Sequence, residues 1–349
     1  MALLRTSWPI ALALFASSPA QSHEWRGQAR LWLGGGFDSN SPRDYAPTLG
    51  GTHADGLGAV VASLDGAFLS ERFRAFGSYD GGGRKFLLLA SEDTLVNNAT
   101  LEVSATPFVV LDVGATGRAR DRRGAARDYS DFAGEFFLEF IPDDTLSVRA
   151  RAGAHRFVYW PAFAASFGAF TAGATARYRF TRRHSVSATF DYEGRGYNAD
   201  AANNPQGDPV AKRQRRDAFF SANASYAYRG PFQFSATYGF IESASNSFGE
   251  SFRRHRLALM VGVALPWELT ILGNIVGQLS QVPDGVYASG FLTTLEEDEG
   301  GSSASFKLVK ALGDHFDLDV RYAFYFNILA TNGLIYARHV ASLGVAVHF

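Results

Sequence analysis

The chain has 349 residues, no cysteine, a formal net charge of −1 and 46% apolar residues, among them 30 Phe, 14 Tyr and 5 Trp. These values exclude a disulfide scaffold, a cysteine-ligated zinc site and a thiol nucleophile, and they lack the basic footprint of a nucleic-acid-binding protein. No stretch approaches the ~18 apolar residues of a membrane-spanning helix.

Residues 1–20 read as a secretory signal peptide. Arg5 supplies the positive charge, Ile10 to Ala16 the short apolar segment, and Ser18-Pro19-Ala20 a small-residue cleavage site, so the mature chain is expected to begin at Gln21. The remainder, 21–349, reads as one domain. From residue 26 onward the pattern is alternation with period two. Leu146, Val148, Ala150 and Ala152 oppose Ser147, Arg149 and Arg151; Phe170, Ala172, Ala174, Ala176, Tyr178 and Phe180 oppose Thr171, Thr175, Arg177 and Arg179. Further along, Phe232, Phe234, Ala236, Tyr238 and Phe240 oppose Gln233, Ser235 and Thr237, and Phe316, Leu318, Val320, Tyr322, Phe324 and Phe326 oppose Asp317, Asp319 and Arg321. A strand pleat sends neighbours to opposite faces, so each such segment has one greasy and one polar face.

The alternation predicts about sixteen strands, at 26–37, 56–69, 72–81, 93–105, 107–118, 129–141, 145–156, 168–181, 185–196, 217–229, 231–242, 254–265, 267–280, 302–311, 315–327 and 338–349. The stretch 82–92 breaks the pattern, and Gly81-Gly82-Gly83 reads as a loop. Short connections alternate with long ones at 38–55, 119–128, 197–216, 243–253, 281–301 and 328–337. A meander with tight turns on one rim and loops on the other does this. A soluble sandwich would use strands of about five or six residues; these segments are long enough to cross a bilayer at a tilt. Aromatics gather at both ends of the apolar faces, with Ala, Val, Leu and Gly between them, as in the two belts of a membrane protein. The fold expected is all-β: a transmembrane, antiparallel, up-and-down β-barrel of sixteen to eighteen strands. At sixteen strands its backbone diameter is on the order of 30 Å, too wide for side chains to fill.

The last strand carries Ala341, Leu343, Val345, Val347 and Phe349 as an apolar row that ends at the terminal residue. This row resembles the assembly signal of Gram-negative outer-membrane barrels. The resemblance implies location in the bacterial outer membrane, contact with its lipids, and recognition by the barrel-assembly machinery through Leu343, Val345, Val347 and Phe349. Gly36-Phe37-Asp38-Ser39-Asn40 resembles the segment after the first strand in putative porins and in bacterial polysaccharide-export barrels. Read from its residues alone, it is an Asp/Asn turn. Export of a polymer would further imply a separate periplasmic partner, since the chain has no room for a helical-repeat domain.

The polar faces carry both signs of charge. Candidate lumen residues are Arg30, Trp32, Arg74, Glu135, Glu139, Arg149, Arg151, Arg177, Arg179, Asp191, Glu193, Arg195, Asp317, Asp319 and Arg321, with Asp112, Asp131, Phe76 and Tyr325 beside them. Two readings stay open: cross-strand pairs that stiffen a wet wall, or a transverse field or polyol track for a hydrated solute. Basic clusters fall in or beside long loops, at Arg118/Arg120/Arg122/Arg123/Arg127, Lys212/Arg213/Arg215/Arg216 and Arg253/Arg254/Arg256. They are solvated loop charge or partners for lipopolysaccharide phosphates. The run Glu296-Glu297-Asp298-Glu299 lacks the spacing of a calcium loop and reads as solvated. An outward alanine patch at 150, 152, 172, 174, 176, 188, 222 and 224 is aliphatic filler or a docking surface for a second barrel.

No G-x-S-x-G, H-E-x-x-H or Walker-type loop occurs, and the eight His fall at no recognisable spacing. No catalytic residue, metal site or cofactor is expected. The sequence therefore points to a polar conduit for hydrophilic cargo, either small solutes or a secreted polysaccharide. The alternative is an adhesive surface barrel with a blocked lumen.

Overall fold

The computed structural model describes residues 24–41, 53–124, 128–204, 209–283, 301–329 and 334–349. The segment 1–20 read as a signal peptide, Arg127, the side chain of Lys212 and the acidic run 296–299 lie outside the described residues.

Sixteen strands follow one another: β1 (Glu24–Asp38), β2 (Asp55–Leu69), β3 (Phe73–Phe86), β4 (Thr94–Phe108), β5 (Leu111–Arg123), β6 (Tyr129–Phe140), β7 (Leu146–Tyr159), β8 (Phe167–Arg179), β9 (His184–Ala202), β10 (Pro209–Arg229), β11 (Phe232–Ser245), β12 (Phe252–Leu265), β13 (Leu269–Gln281), β14 (Ser302–Ala311), β15 (Phe316–Leu329) and β16 (Leu334–His348). Each pairs antiparallel with its sequence neighbours, and β16 pairs back onto β1, so the sheet is a closed barrel. Closure leaves no strand edge without hydrogen-bond partners, a requirement for any sheet inside a bilayer. Short turns occupy one rim, at 70–72, 109–110, 141–145, 180–183, 230–231, 266–268 and 312–315. In the three-residue turn after β12, which joins the paired Leu265 and Leu269, Trp267 and Glu268 both hold positive φ, 62° and 59°. The strand ends that lead into the longer connections lie on the opposite rim, and the start of β1 and the end of β16 lie at the short-turn rim, where Phe349 N–H donates to Ala29 O at 2.9 Å.

Two sequence expectations need correction. Gly81-Gly82-Gly83 is no loop: β3 runs through it to Phe86, with Val60, Val61 and Ala62 opposite on one side and Leu95, Val96 and Asn97 on the other. Three residues without side chains erase the alternation while the backbone ladder continues. The chain then leaves the sheet for a 3₁₀ turn at Ala90–Glu92. The strands also reach beyond the expected ends at the long-loop rim, so Arg118, Arg120, Arg122 and Arg123 stand on β5, Arg213, Arg215 and Arg216 on β10, and Arg253, Arg254 and Arg256 on β12.

The two faces of the sheet differ as the pleat requires. Leu33, Phe37, Leu64, Leu101, Phe132, Phe136, Phe170, Phe190 and Leu343 are large, apolar and exposed on the outer face. On a soluble protein so extended an apolar exterior would be an aggregation hazard; in a bilayer it meets acyl chains. The alanine patch is assembled there by register, with Ala150 opposite Ala174, Ala152 opposite Ala172, and Ala188 opposite both Ala176 and Ala224.

At the β1–β16 seam, Trp32 lies flat on the inner face across Gly34 and Gly344, which are paired with one another. A Cβ on either glycine would run into the indole. Gly344→Val is therefore expected to lift Trp32 from the wall and cost about 1–3 kcal/mol as overpacking, read as a lower urea midpoint of the lipid-embedded protein.

Candidate functional site: the inner wall

Side chains that reach over an intervening strand identify the concave face. Arg149 on β7 donates to both oxygens of Glu102 on β4, at 3.2 Å each, across β5 and β6. The same guanidinium holds Glu139 on β6 at 2.8 Å. Its plane rests on Phe137, 4.0 Å from the ring centroid, and Phe137 in turn fills the space left by the missing side chain of Gly114. Arg151, two residues on and so on the same face, bridges Glu135 on β6 at 3.6 Å and Asp191 on β9. Its path crosses β8 at Gly173, where a Cβ would strike Asp191 and crowd Arg151. His155 extends the row. Its Nε2 lies 3.0 Å from Asp131 and its Nδ1 2.9 Å from Glu193, which Arg195 also holds at 2.8 Å. Thr171 donates to Glu135 at 3.1 Å, closing one remaining acceptor.

The result is a ladder of charge along β4–β9 in which Arg149, Arg151 and His155 each touch two carboxylates. A single half-exposed ion pair contributes about 1 kcal/mol or less. A network that shares partners fixes side-chain positions more firmly than its links taken singly. A smaller group sits near the seam: Asp319 takes Lys307 at 3.0 Å and Arg30 at 3.4 Å, and Asp317 accepts His348 at 2.7 Å. Arg74 pairs with Asp112, which also accepts Thr106 at 2.6 Å. Arg177, Arg179 and Arg321 make no ion pair among the described residues. The next stretch of wall is of another kind: inner positions of β10–β14 carry Ser221, Asn223, Ser225, Thr237, Asn274 and Ser305, with Met260 exposed among them and Lys307 beside Ser305.

Toward the long-loop rim the inner face becomes aromatic and dry. Tyr129, Phe157, Tyr159, Phe167 and Tyr197 form a buried cluster. Arginines lie over it: Arg120 over Tyr129, Arg195 over Phe167 and Phe219, and Arg215 over Tyr197 at 4.1 Å. Arg120 and Arg215, which the sequence assigns to the loop clusters, thus face inward and stack on rings. Arg123, Arg216 and Arg253 stand on the outward face of their strands; Arg253 holds Glu242 at 2.8 Å, and Arg123 holds Asp121 at 2.7 Å.

Phe37-Asp38-Ser39-Asn40 performs a task that its residues alone did not disclose. Asp38, 0% exposed, grips Arg338 of β16, 1% exposed, with Arg338 Nε 2.9 Å from Oδ1. Asp38 also accepts Asn40 N–H at 3.1 Å, an Asx turn as the residue type suggests. Ser39 N–H donates to His339 O at 2.9 Å, its hydroxyl accepts His339 N–H at 2.8 Å, and Asn40 Nδ2 donates to Ala337 O at 3.2 Å. The segment is a clasp that fastens the first strand to the last. His155 was likewise missed: its partners lie on β6 and β9, so no sequence spacing betrays them. Its parity with Arg149 and Arg151 was the available clue.

Among the described residues, no group of three or more His, Asp or Glu is arranged to hold a metal ion. No protein-family model matches the chain, and no curated protein matches it. Solved structures do match. Salmonella typhi OmpF aligns over 93% of this chain and 97% of its own, at 11% identity and a TM-score of 0.50. OmpTΔL8, a loop-deleted outer membrane protein of Vibrio cholerae, aligns over 94% and 99%, at 9% identity and 0.50. A bacterial polysaccharide outer membrane secretin aligns over 93% and 98%, at 8% identity and 0.49. At these identities the likeness is one of fold: this chain has the fold of the outer-membrane β-barrels.

Proposed function

We propose that the chain is an outer-membrane channel, a conduit for hydrophilic cargo. One observation carries the reading: a closed sheet of sixteen strands is greasy outside and charged inside. A barrel of that strand number encloses a lumen wider than its own side chains fill, and the inner side chains lean along the wall onto one another. The dense charged ladder on β4–β9 and the sparser charge among the hydroxyl and amide groups of β10–β14 distribute charge unevenly around the lumen instead of forming a single-sign ring. Such a wall favours dipolar and hydroxylated solutes over strong selection of either ion sign. Passage requires no catalytic residue, because wall groups exchange hydrogen bonds with water and cargo alike.

Outward Arg123, Arg216 and Arg253 at the long-loop rim are the proposed partners of lipopolysaccharide phosphates, and the outward row Leu343, Val345 and Val347 of β16 with Phe349 after it is the proposed contact for assembly machinery. The test of the conduit is planar-bilayer recording of the refolded chain. Discrete, ohmic conductance steps with weak cation–anion discrimination are expected; a silent bilayer containing correctly folded barrel would overturn the proposal.

A further inference from the structure

Five arginines gather at one corner of the short-turn rim. Arg177 and Arg179 end β8, Arg229 ends β10, and Arg182 and Arg183 form the turn between β8 and β9. The corner is tied together by Arg229 N–H, which donates to Arg183 O at 2.8 Å. Strand parity sets Arg177 and Arg179 on the inner face with Thr175, which bonds Arg151 at 3.2 Å. Arg229 shares its face with Ser221, which bonds the inner-wall Asp191 at 3.5 Å. All five arginines are exposed.

Their surroundings set them apart from the ladder above. Ser147 and Ser187 lie opposite Arg177, Ser185 opposite Arg179, and Gln233 opposite Arg229. The neighbouring turn holds Asp143 and Asp144. Asp143 caps its own turn, accepting the N–H groups of Thr145 at 2.7 Å and Leu146 at 3.0 Å. Among the described residues none of the five arginines makes an ion pair, whereas Arg149 and Arg151 higher on the same wall each take two carboxylates. Like charges so grouped repel one another, and an arriving anion relieves that repulsion. The guanidinium fork matches carboxylate and phosphate in two-point contact. Beside the arginines runs the hydroxyl and amide wall of Ser185, Ser187, Ser225, Gln233, Ser235 and Thr237, which suits a ligand rich in hydroxyl groups.

We propose that this corner binds a hydroxylated polyanion, an acidic oligosaccharide in chemical class, at the short-turn mouth before it passes along the wall. The proposal rests on the conduit reading for its direction of travel, and not for the binding itself. The arginines hold the acidic groups and the serine-rich wall exchanges hydrogen bonds with the sugar hydroxyls. Because the cluster sits at one end only, binding is sided.

The experiment uses the full refolded chain, labelled oligogalacturonate as the probe and a neutral maltooligosaccharide as control. Fluorescence anisotropy should show oligogalacturonate binding that weakens with salt and no comparable binding of the neutral sugar. Arg177→Gln/Arg179→Gln/Arg229→Gln should lose about tenfold or more in affinity, with heat-modifiable mobility on gels confirming that the variant folds. In planar bilayers, oligogalacturonate should interrupt current when added on the short-turn side and much less from the other. Unchanged affinity in the triple variant, or equal block from both sides, overturns the proposal. So does a second pattern: Arg182→Gln/Arg183→Gln alone abolishing an interaction seen only in vesicles containing anionic lipid, which would make the corner a lipid contact. A barrel that binds the probe but passes no current keeps the site and fails the conduit; one that conducts and ignores the probe does the reverse.

Discussion

Asp38→Ala is expected to destabilise the barrel by about 3–5 kcal/mol, the usual cost of stripping the partner from a buried charge. Arg338 is 1% exposed, so its guanidinium cannot turn to water when Asp38 is gone. Asp38 and Arg338 join the first strand to the last, and their link spans 300 residues of sequence. The loss therefore falls on closure, and the damaged region is the β1–β16 ladder that runs from Arg30 to Asp38. Urea unfolding of the lipid-embedded protein measures it. Removing both charges together, with Asp38→Leu and Arg338→Met, should recover most of the loss, because well-packed apolar residues replace such pairs at little cost. An unchanged midpoint for Asp38→Ala would show that the clasp contributes nothing to closure.

The second large effect concerns permeation. Arg149→Ala/Arg151→Ala removes two cations that between them hold Glu102, Glu139, Glu135 and Asp191. Four carboxylates then face the lumen without their counter-charges. The wall changes from mixed to acidic, and a ring of one sign selects the opposite ion. The cation-to-anion permeability ratio, read from the reversal potential in a salt gradient, should rise by about threefold or more. Folding should suffer less than in Asp38→Ala, because these side chains are partly exposed and released carboxylates regain water. A reversal potential unchanged from the parent protein would mean that current does not pass along this wall.

The sixteen strands were legible because a membrane barrel writes its two solvents into alternate residues: Phe316 to Phe326 reads as one long strand with an oily face and a wet face. The pattern fails where the physics behind it fails. At Gly81-Gly82-Gly83 no side chain exists to report a face. At the ends of β9 and β10, Asn198, Asp200, Gln214 and Arg216 stand where both faces meet water or loop, and alternation has no cause there. The inner wall was legible as a composition and not as a set of contacts. Arg149 beside Glu139 follows from a single hairpin, while Arg149 with Glu102 and Arg151 with Asp191 require curvature that brings alternate strands within reach. The Asp38 clasp needed the same knowledge from farther away, since only closure places residue 38 against residue 338.

That lock has a bearing on how the molecule is made. Asp38 stands on β1 and Arg338 on β16, so until those two strands meet the sheet is a curled ribbon with two raw borders, each able to template a neighbour. Those borders need shelter until the ring is shut. Loss of even the last dozen residues should therefore yield not a weakened pore but a species that quality-control proteases clear.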